Sequence, residues 1–128
     1  RIRCIVPVAD NRLCLGTDGG GLIVFNAATK TSEVFNEANG LPNNVVYGML
    51  FESTDVVWLT TNFGLCRLNI KTGEVRNYTE RDGLQSNEFN QGAYFKDREG
   101  AMYVGGVNGF NKFVPSKILP NRYQAPLY

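Results

Sequence analysis

The 128-residue sequence has no histidine and only three cysteines, and no two of them form a Cys-X-X-Cys pair. Zinc is held mainly by histidine and cysteine, and a cysteine nucleophile usually needs a histidine as its base. These absences argue against a zinc site and against Cys–His catalysis, so we expect no cofactor. Cys4, Cys14 and Cys66 each lie in a strand-like run and are expected to be buried as small hydrophobic residues.

The chain also lacks an excess of charge and a long apolar run. Its formal net charge is +1, and its lysines and arginines are scattered, which gives no long-range attraction to nucleic acid. No apolar stretch approaches the roughly 20 residues of a membrane-spanning helix, and no signal peptide is visible. The chain begins RIRCIV, without methionine. We interpret it as a segment of a longer protein and expect no nucleic-acid partner for this segment.

The clearest feature that is present is an internal repeat. The segment that starts at residue 13 returns at residues 57 and 102, as LCLGTDGGGL, VWLTTNFGL and MYVGGVNGF. A second marker has nearly the same spacing, because NGLPNNVVYGMLF at 39–51 returns as DGLQSNEFNQGAYF at 82–95. Two independent markers with one period indicate a repeat architecture.

Each repeat resolves into short strands separated by turn residues. The first two repeats each predict four strands and the third predicts three: 3–8, 12–17, 22–26 and 32–36; 45–52, 56–61, 65–70 and 74–79; 89–96, 101–106 and 109–114. Four short strands in about 43 residues are typical of a β-propeller blade. We therefore predict an all-β fragment of about three four-stranded antiparallel blades, with a first blade at 1–37, a second at 38–80, an incomplete last blade at 81–114 and a linker at 115–128.

The glycine-rich stretch Thr17–Gly21 could be a phosphate-binding loop or a hairpin turn. It occupies the same place in its repeat as residues 61–64 and 106–109, and no helix is predicted after any of the three. Phosphate binding by such a loop needs the start of a helix behind it. The pattern therefore predicts a hairpin turn.

Together, the segments LCLGTDGGGL, GLPNNVVYGMLFE, VWLTTNFGLCRLN and TGEVRNYTERDGLQSNEFN resemble two-component regulator propeller repeats. These repeats form the periplasmic sensor region of hybrid two-component proteins of gut Bacteroidetes. Residues 87–118 are similar to the last propeller blade of that family, and residues 120–128 to its junction with a β-sandwich domain. Two positions depart from the family pattern, since Cys14 replaces the usual tryptophan and Thr60 the usual glycine, and we expect only packing changes there.

The resemblance implies the role of the chain. It would be a periplasmic, ligand-sensing part of an inner-membrane receptor that contains a histidine kinase and a response regulator. The expected ligand is an oligosaccharide, and the expected output is control of polysaccharide-utilisation genes. The parent receptor would be a homodimer that meets the membrane only through its transmembrane helix, and this chain would not be an enzyme. Because an open propeller fragment exposes sheet faces, we also expect it to self-associate.

Propeller geometry predicts where a ligand would bind. The turn between the second and third strands of a blade shares a rim with the crossover to the next blade. The candidate ligand-binding residues on this rim are Asn44, Asn62, Phe63, Asn87, Glu88, Asn90 and Asn108, with Asp18, Asn43, Tyr47 and Arg81 close by. Amides and carboxylates beside an aromatic ring suit carbohydrate, although asparagine and aspartate are also common turn formers.

Two other functions remain open at this stage: a protein-binding scaffold propeller and a glycan-cleaving enzyme. Four acidic residues, Asp55, Asp82, Asp97 and Glu99, could supply the paired carboxylates of a glycosidase. They fall at predicted turns, where aspartate is common in any case. Four aromatic residues in strand interiors are expected to pack between blades, namely Trp58, Tyr94, Phe95 and Tyr103.

Overall fold

The computed structural model describes residues 1–118, which form three antiparallel sheets. Blade 1 contains β1 (Ile2–Val8), β2 (Arg12–Thr17), β3 (Leu22–Asn26) and β4 (Thr31–Phe35). Blade 2 contains β5 (Val46–Phe51), β6 (Val56–Thr61), β7 (Gly64–Asn69) and β8 (Val75–Tyr78), and blade 3 contains β9 (Tyr94–Lys96), β10 (Met102–Gly106) and β11 (Gly109–Phe113). The predicted all-β fragment of antiparallel blades is confirmed, and within residues 1–118 the third blade has three strands.

Helical structure in residues 1–118 is limited to three single turns of 3-10 helix, at Glu37–Asn39, Glu80–Asp82 and Pro115–Lys117. Within these residues, no helix has the length and apolar character needed to cross a membrane. The last of the three turns opens the segment predicted as a linker. Residues 119–128, which make up most of that predicted linker, lie outside the described residues.

The blades are held together by two apolar cores, one on each side of blade 2. Successive side chains of a strand point to opposite faces of its sheet, so each face of blade 2 can meet a different neighbour. Leu59 and Leu68 of blade 2 pack with Cys14 and Leu22 of blade 1, and all four are fully buried. On the other face, Trp58 packs in a core that includes blade 3 residues. The blades are therefore stacked with blade 2 in the middle.

The predicted burial of the cysteines is confirmed. Cys14 and Cys66 are fully buried and Cys4 is 8% exposed. Because burial disfavours the charged thiolate, it raises the pKa of Cys14 to about 11 and that of Cys66 to about 12. These thiols pack as apolar groups.

The glycine-rich stretch is a hairpin turn between β2 and β3, as predicted. The Thr17 hydroxyl donates a hydrogen bond to the Gly21 carbonyl at 2.8 Å and accepts one from the Gly20 N–H at 2.9 Å. Gly21 has φ = 77°, and a Cβ at this position would collide with the Phe35 carbonyl oxygen. Glycine is needed there for backbone conformation and space, and no phosphate-binding helix start follows.

The predicted strand at 89–96 is wrong in its first half, since β9 covers only Tyr94–Lys96. The preceding residues form a turn in which the Ala93 N–H donates to the Asn90 carbonyl, and Gly92 has φ = 80°. The Phe89 side chain is buried in the core between blades 2 and 3. The buried Phe89 in the crossover was therefore mistaken for the first residue of a strand.

Among the four aromatic residues expected between blades, Phe95 and Tyr103 do not fit that expectation. Trp58 is 1% exposed and Tyr94 packs against the same core, whereas Phe95 is 61% exposed. Phe95 pairs across strands with Tyr103, on the face of blade 3 that points away from blade 2. The alternation of β9 places its side chain there, and no described residue covers that face.

Candidate functional site

The three turns predicted to share a rim with the crossovers do so. We use "rim" for the edge formed by the β2–β3, β6–β7 and β10–β11 turns together with the crossovers at 36–45 and 79–93. The N–H groups of Gly19 and Gly21 donate to the Asn44 carbonyl, and the Gly64 N–H donates to the Asn87 carbonyl. In blade 3, the Asn108 N–H donates to the Gln85 side chain at 2.9 Å. Each turn is thus tied to the crossover that follows it in the chain or lies beside it.

Asn44 and Asn87 hold the crossovers in shape. The Asn44 side-chain oxygen accepts a hydrogen bond from the Glu37 N–H at 2.8 Å, and Asn87 does the same for the Glu80 N–H at 2.8 Å. The carboxylate of each glutamate in turn accepts a hydrogen bond. The donor is the Asn44 N–H in the first crossover and Asn87 Nδ2 in the second. Both asparagines therefore have a structural role at the start of a 3-10 turn, whatever else they do.

Two β-bulges direct side chains toward the rim. In β1, the register with β2 shifts between Ile2 and Cys4, which leaves Arg3 as the extra residue. In β5, the register with β6 shifts between Val46 and Gly48, which leaves Tyr47 as the extra residue. Bulges re-aim side chains and are frequent next to binding sites. Arg3 and Tyr47 occupy equivalent places in neighbouring blades.

These two residues form the centre of a polar group that we call the rim cluster: Arg3, Asp18, Tyr47, Asn62 and Gln91. The Arg3 guanidinium lies 5.5 Å from the centre of the Tyr47 ring and pairs with the Asp18 carboxylate at 2.9 Å. Arg3 also donates to the Gln91 side chain. The Tyr47 hydroxyl donates to Asn62 Oδ1 at 3.2 Å. The cluster thus joins blade 1, blade 2 and the crossover into blade 3.

The rim cluster offers the groups that recognise sugar hydroxyls. It combines a guanidinium, a carboxylate, two amides and a phenol, which together supply both donors and acceptors. Phe63 follows Asn62 of the cluster in the β6–β7 turn. It is 51% exposed and presents a flat aromatic ring to solvent. Aromatic faces of this kind pack well against the apolar faces of sugar rings.

The other predicted site residues are also on the rim, but the structure does not join them to the cluster. Glu88 and Asn90 are exposed, and their backbone groups bond within the crossover and to blade 3. Asn108 is exposed in the β10–β11 turn and donates from Nδ2 to the Gln85 carbonyl at 3.5 Å. Ligand binding by Asn44, Asn62, Phe63, Asn87, Glu88, Asn90 and Asn108 stays a prediction.

Sequence reasoning missed Arg3 and Gln91. Arg3 reads as an ordinary alternating strand residue, and Gln91 fell within the strand wrongly predicted at 89–96. The available signal was the repeat itself, because Arg3 and Tyr47 are 44 residues apart and lie in equivalent strands. The two bulges become visible only when strand pairing is known.

Three of the four acidic residues considered for catalysis have structural contacts. Asp82 accepts from the Thr79 N–H, and Asp97 accepts from the N–H groups of Glu99 and Ala101 at 2.9 Å. Asp55 pairs with Arg12 at 3.6 Å. Within residues 1–118, no three histidine, cysteine or acidic side chains are grouped in a way that could hold a metal ion.

A second polar group surrounds Glu52, at the edge of blade 2 opposite the rim. Its carboxylate accepts hydrogen bonds from Trp58 Nε1 at 2.9 Å and from Arg67 Nε at 3.2 Å. Burial opposes ionisation of Glu52, but the bonds from Arg67 and Trp58 outweigh it and leave the pKa of the carboxyl below its usual value. A cavity of about 230 Å³ adjoins this group. Since the charge is already paired and hydrogen-bonded, Glu52 ties β5, β6 and β7 together.

The fold and the rim can now be compared with known proteins. No protein-family model matches the chain. Among curated proteins, the chain is similar to Histidine kinase P4 of Formosa agariphila, with 32% identity over 107 residues. This alignment covers 84% of the chain and 8% of the kinase. The chain therefore corresponds to a small part of that relative.

The chain also superposes on solved structures. The extracellular domain of the hybrid two-component system BT3049 from B. thetaiotaomicron superposes with a TM-score of 0.74 at 17% identity, over 88% of the chain. That of BT4673 from the same organism does so with a TM-score of 0.74 at 20% identity, over 100% of the chain. The chain resembles two-component sensors. It spans 15% and 18% of these two sensor domains. Their likeness to the chain establishes its fold. The resemblance predicted from the sequence is confirmed.

Proposed function

We propose that this chain is part of the periplasmic sensor region of a hybrid two-component receptor and that it binds oligosaccharide at the rim cluster. The similarity to a histidine kinase and to extracellular domains of two-component systems supports the signalling role. In this proposal the chain binds and does not catalyse, and the parent protein is a homodimeric inner-membrane histidine kinase. Its output would be control of polysaccharide-utilisation genes.

The observation that carries the ligand proposal is the bulged Arg3–Tyr47 pair. Two successive blades each use a bulge to place a large polar side chain on the rim, and the pair is joined to Asp18, Asn62 and Gln91. A ligand at this place would touch two blades and a crossover at once. Its binding could therefore bias the relative placement of the blades, which is the kind of two-state change that a receptor transmits.

The test is a calorimetric titration of the chain with a panel of neutral and acidic plant and host oligosaccharides. We expect a saturable signal for at least one glycan, and a loss of about tenfold or more in affinity in Asn62→Ala and Arg3→Ala, since one good polar contact is worth roughly 1.4 kcal/mol or more. Lys71→Ala, in the exposed β7–β8 turn at the opposite edge, is the matched control and should bind normally.

Three results would change the conclusion. Binding that is unaffected in both rim variants would move the glycan site away from the rim cluster. Loss of binding in Glu88→Ala or Asn90→Ala alone would place the site on the crossover into blade 3. If no glycan gives heat, oligosaccharide sensing by this segment is wrong, and a protein ligand becomes the better proposal.

A further inference from the structure

The three blades can be compared with one another residue by residue, because they are repeats of one unit. Some polar residues of the rim are the same in successive repeats and make the same bond. Asn44 and Asn87 are an example, since the side chain of each accepts a hydrogen bond from the N–H of a glutamate in its own crossover. Residues of this kind shape the crossovers. A side chain that reaches the rim and changes from repeat to repeat has no such shared role, so something other than the repeat determines its identity.

One position of this kind is occupied by Arg3 in blade 1, Tyr47 in blade 2 and Gln91 in blade 3, each 44 residues from the next. Arg3 and Tyr47 are the bulge residues of β1 and β5. Gln91 lies in the turn at 90–93 directly before β9, which is the corresponding place in blade 3. We call these three residues the rim arc.

The side chains of the rim arc meet although they come from three blades. The strands that carry or follow them are neighbours, because β5 contacts both β1 and β9. The Arg3 guanidinium lies 5.5 Å from the centre of the Tyr47 ring and donates to the Gln91 side chain. The Arg3 side chain is 18% exposed, and its five N–H groups are more than its bonds to Gln91 and Asp18 use. The arc can therefore donate to a ligand.

The charge of the rim arc is balanced within the chain. The Asp18 carboxylate, which is 33% exposed, pairs with Arg3 at 2.9 Å, and the side chains of Tyr47 and Gln91 are uncharged amide and phenol groups. The crossovers at 36–45 and 79–93 contain four acidic residues and one arginine. Arg1, beside the β2–β3 turn, adds one positive charge. The surroundings of the arc are thus negative overall, which disfavours an anionic ligand.

We propose that the rim arc sets the ligand specificity of the rim cluster and that it selects a neutral sugar over an acidic one. This rests on the proposed binding of oligosaccharide at the rim cluster. Sugar hydroxyls accept from Arg3 and from the Gln91 amide and donate to Asp18, which leaves the ion pair intact. A carboxylate or sulfate on the sugar would compete with Asp18 for Arg3 and would lie beside a second negative charge.

The test compares two forms of the glycan that binds most tightly in the calorimetric panel. If that glycan is neutral, its primary alcohols are oxidised to carboxylates; if it is acidic, its carboxyl groups are reduced to alcohols. The two forms share a backbone and differ in charge. We expect the neutral form to bind the unmodified chain about tenfold or more tightly than the acidic form.

Two variants should move this ratio of affinities in opposite directions. Asp18→Asn keeps the shape of the side chain but leaves the Arg3 charge unbalanced, so the preference for the neutral form should fall by about tenfold. Gln91→Glu places a second carboxylate beside Arg3, so the preference should rise. Asp10→Asn is the matched control, because it removes the same charge from the exposed β1–β2 turn at the opposite edge and should leave the ratio unchanged.

The ratio separates recognition from a structural role, since a loss of folded protein weakens both forms equally. Circular dichroism shows whether each variant is folded, and either folded variant suffices for the test. The inference is wrong if the unmodified chain prefers the acidic form. It is also wrong if the ratio stays constant in both variants while Arg3→Ala still abolishes binding, a result that would leave the proposed function standing. If no glycan of the panel binds, both proposals are wrong.

Discussion

At the scale of single residues, Thr60 and Thr61 are adjacent buried threonines in opposite environments. The Thr61 hydroxyl donates to the Gly64 carbonyl at 2.7 Å and accepts from the Phe63 N–H at 3.0 Å. The Thr60 hydroxyl is buried without any hydrogen-bond partner in the described chain. A buried polar group without a partner lowers stability, whereas a bonded one contributes to it.

Thr60→Val should therefore stabilise the protein, and Thr61→Val should destabilise it. Valine keeps the branched shape, so we expect a gain of about 1 kcal/mol in the free energy of unfolding for the first and a loss of about 1–3 kcal/mol for the second. Urea unfolding followed by the fluorescence of Trp58, the single tryptophan, measures both. A loss of stability in Thr60→Val would mean that its hydroxyl has a partner in solution.

Residue identity alone predicted part of this picture. Thr60 stands out in the sequence because Gly16 and Gly105 occupy the equivalent places in the other blades. The sequence could not show that its hydroxyl is orphaned, because that depends on which neighbours the fold brings. Cys14 was likewise expected to be a packing variation, and it is fully buried where blade 2 carries Trp58.

At the scale of elements, the crossovers contain asparagines of two kinds. Asn87 is bonded through its side chain to the Glu80 N–H and carboxylate, whereas Asn90 is exposed and lies three residues further along. Asn87→Ala should lower the free energy of unfolding by about 1 kcal/mol or more, because the first N–H of the 3-10 turn loses its acceptor. Asn90→Ala should change it by no more than about 0.5 kcal/mol. Thermal unfolding by circular dichroism measures the pair, and equal losses would contradict the assignment.

The elements were predictable where the signal is local. Ten of the strands follow from β-branched and aromatic runs bounded by turn residues, with ends that differ by at most one residue. The bulges at Arg3 and Tyr47 were not predictable, since a bulge is a mismatch between two strands and neither strand shows it alone. The rim was therefore placed correctly from the repeat, while Arg3, which has the most partners in the rim cluster, was missed.

At the scale of the whole molecule, each blade is stabilised by its neighbour. β1 and β2 contact β5, and β5 contacts β9. Blades 1 and 3 therefore each pack mainly against blade 2. The Arg3–Gln91 hydrogen bond adds one link from blade 1 to the crossover before blade 3. In such nearest-neighbour architectures, stability is close to a sum of blade and interface contributions. The period of the sequence predicts this arrangement, whereas the exposure of Phe95 depends on what lies beyond blade 3.

This architecture predicts that a mutation in one core destabilises the adjoining blades more than the distant one. Met102 is fully buried in the core between blades 2 and 3, so Met102→Ala should cost about 2–5 kcal/mol by leaving a cavity. We expect faster hydrogen exchange in β9–β11 first, with β1–β4 still protected. Leu59→Ala, in the core between blades 1 and 2, is the matched control and should speed exchange in β1–β8. If Met102→Ala instead raised exchange equally in all three sheets, the blades would unfold as one cooperative unit, and the nearest-neighbour description would be wrong.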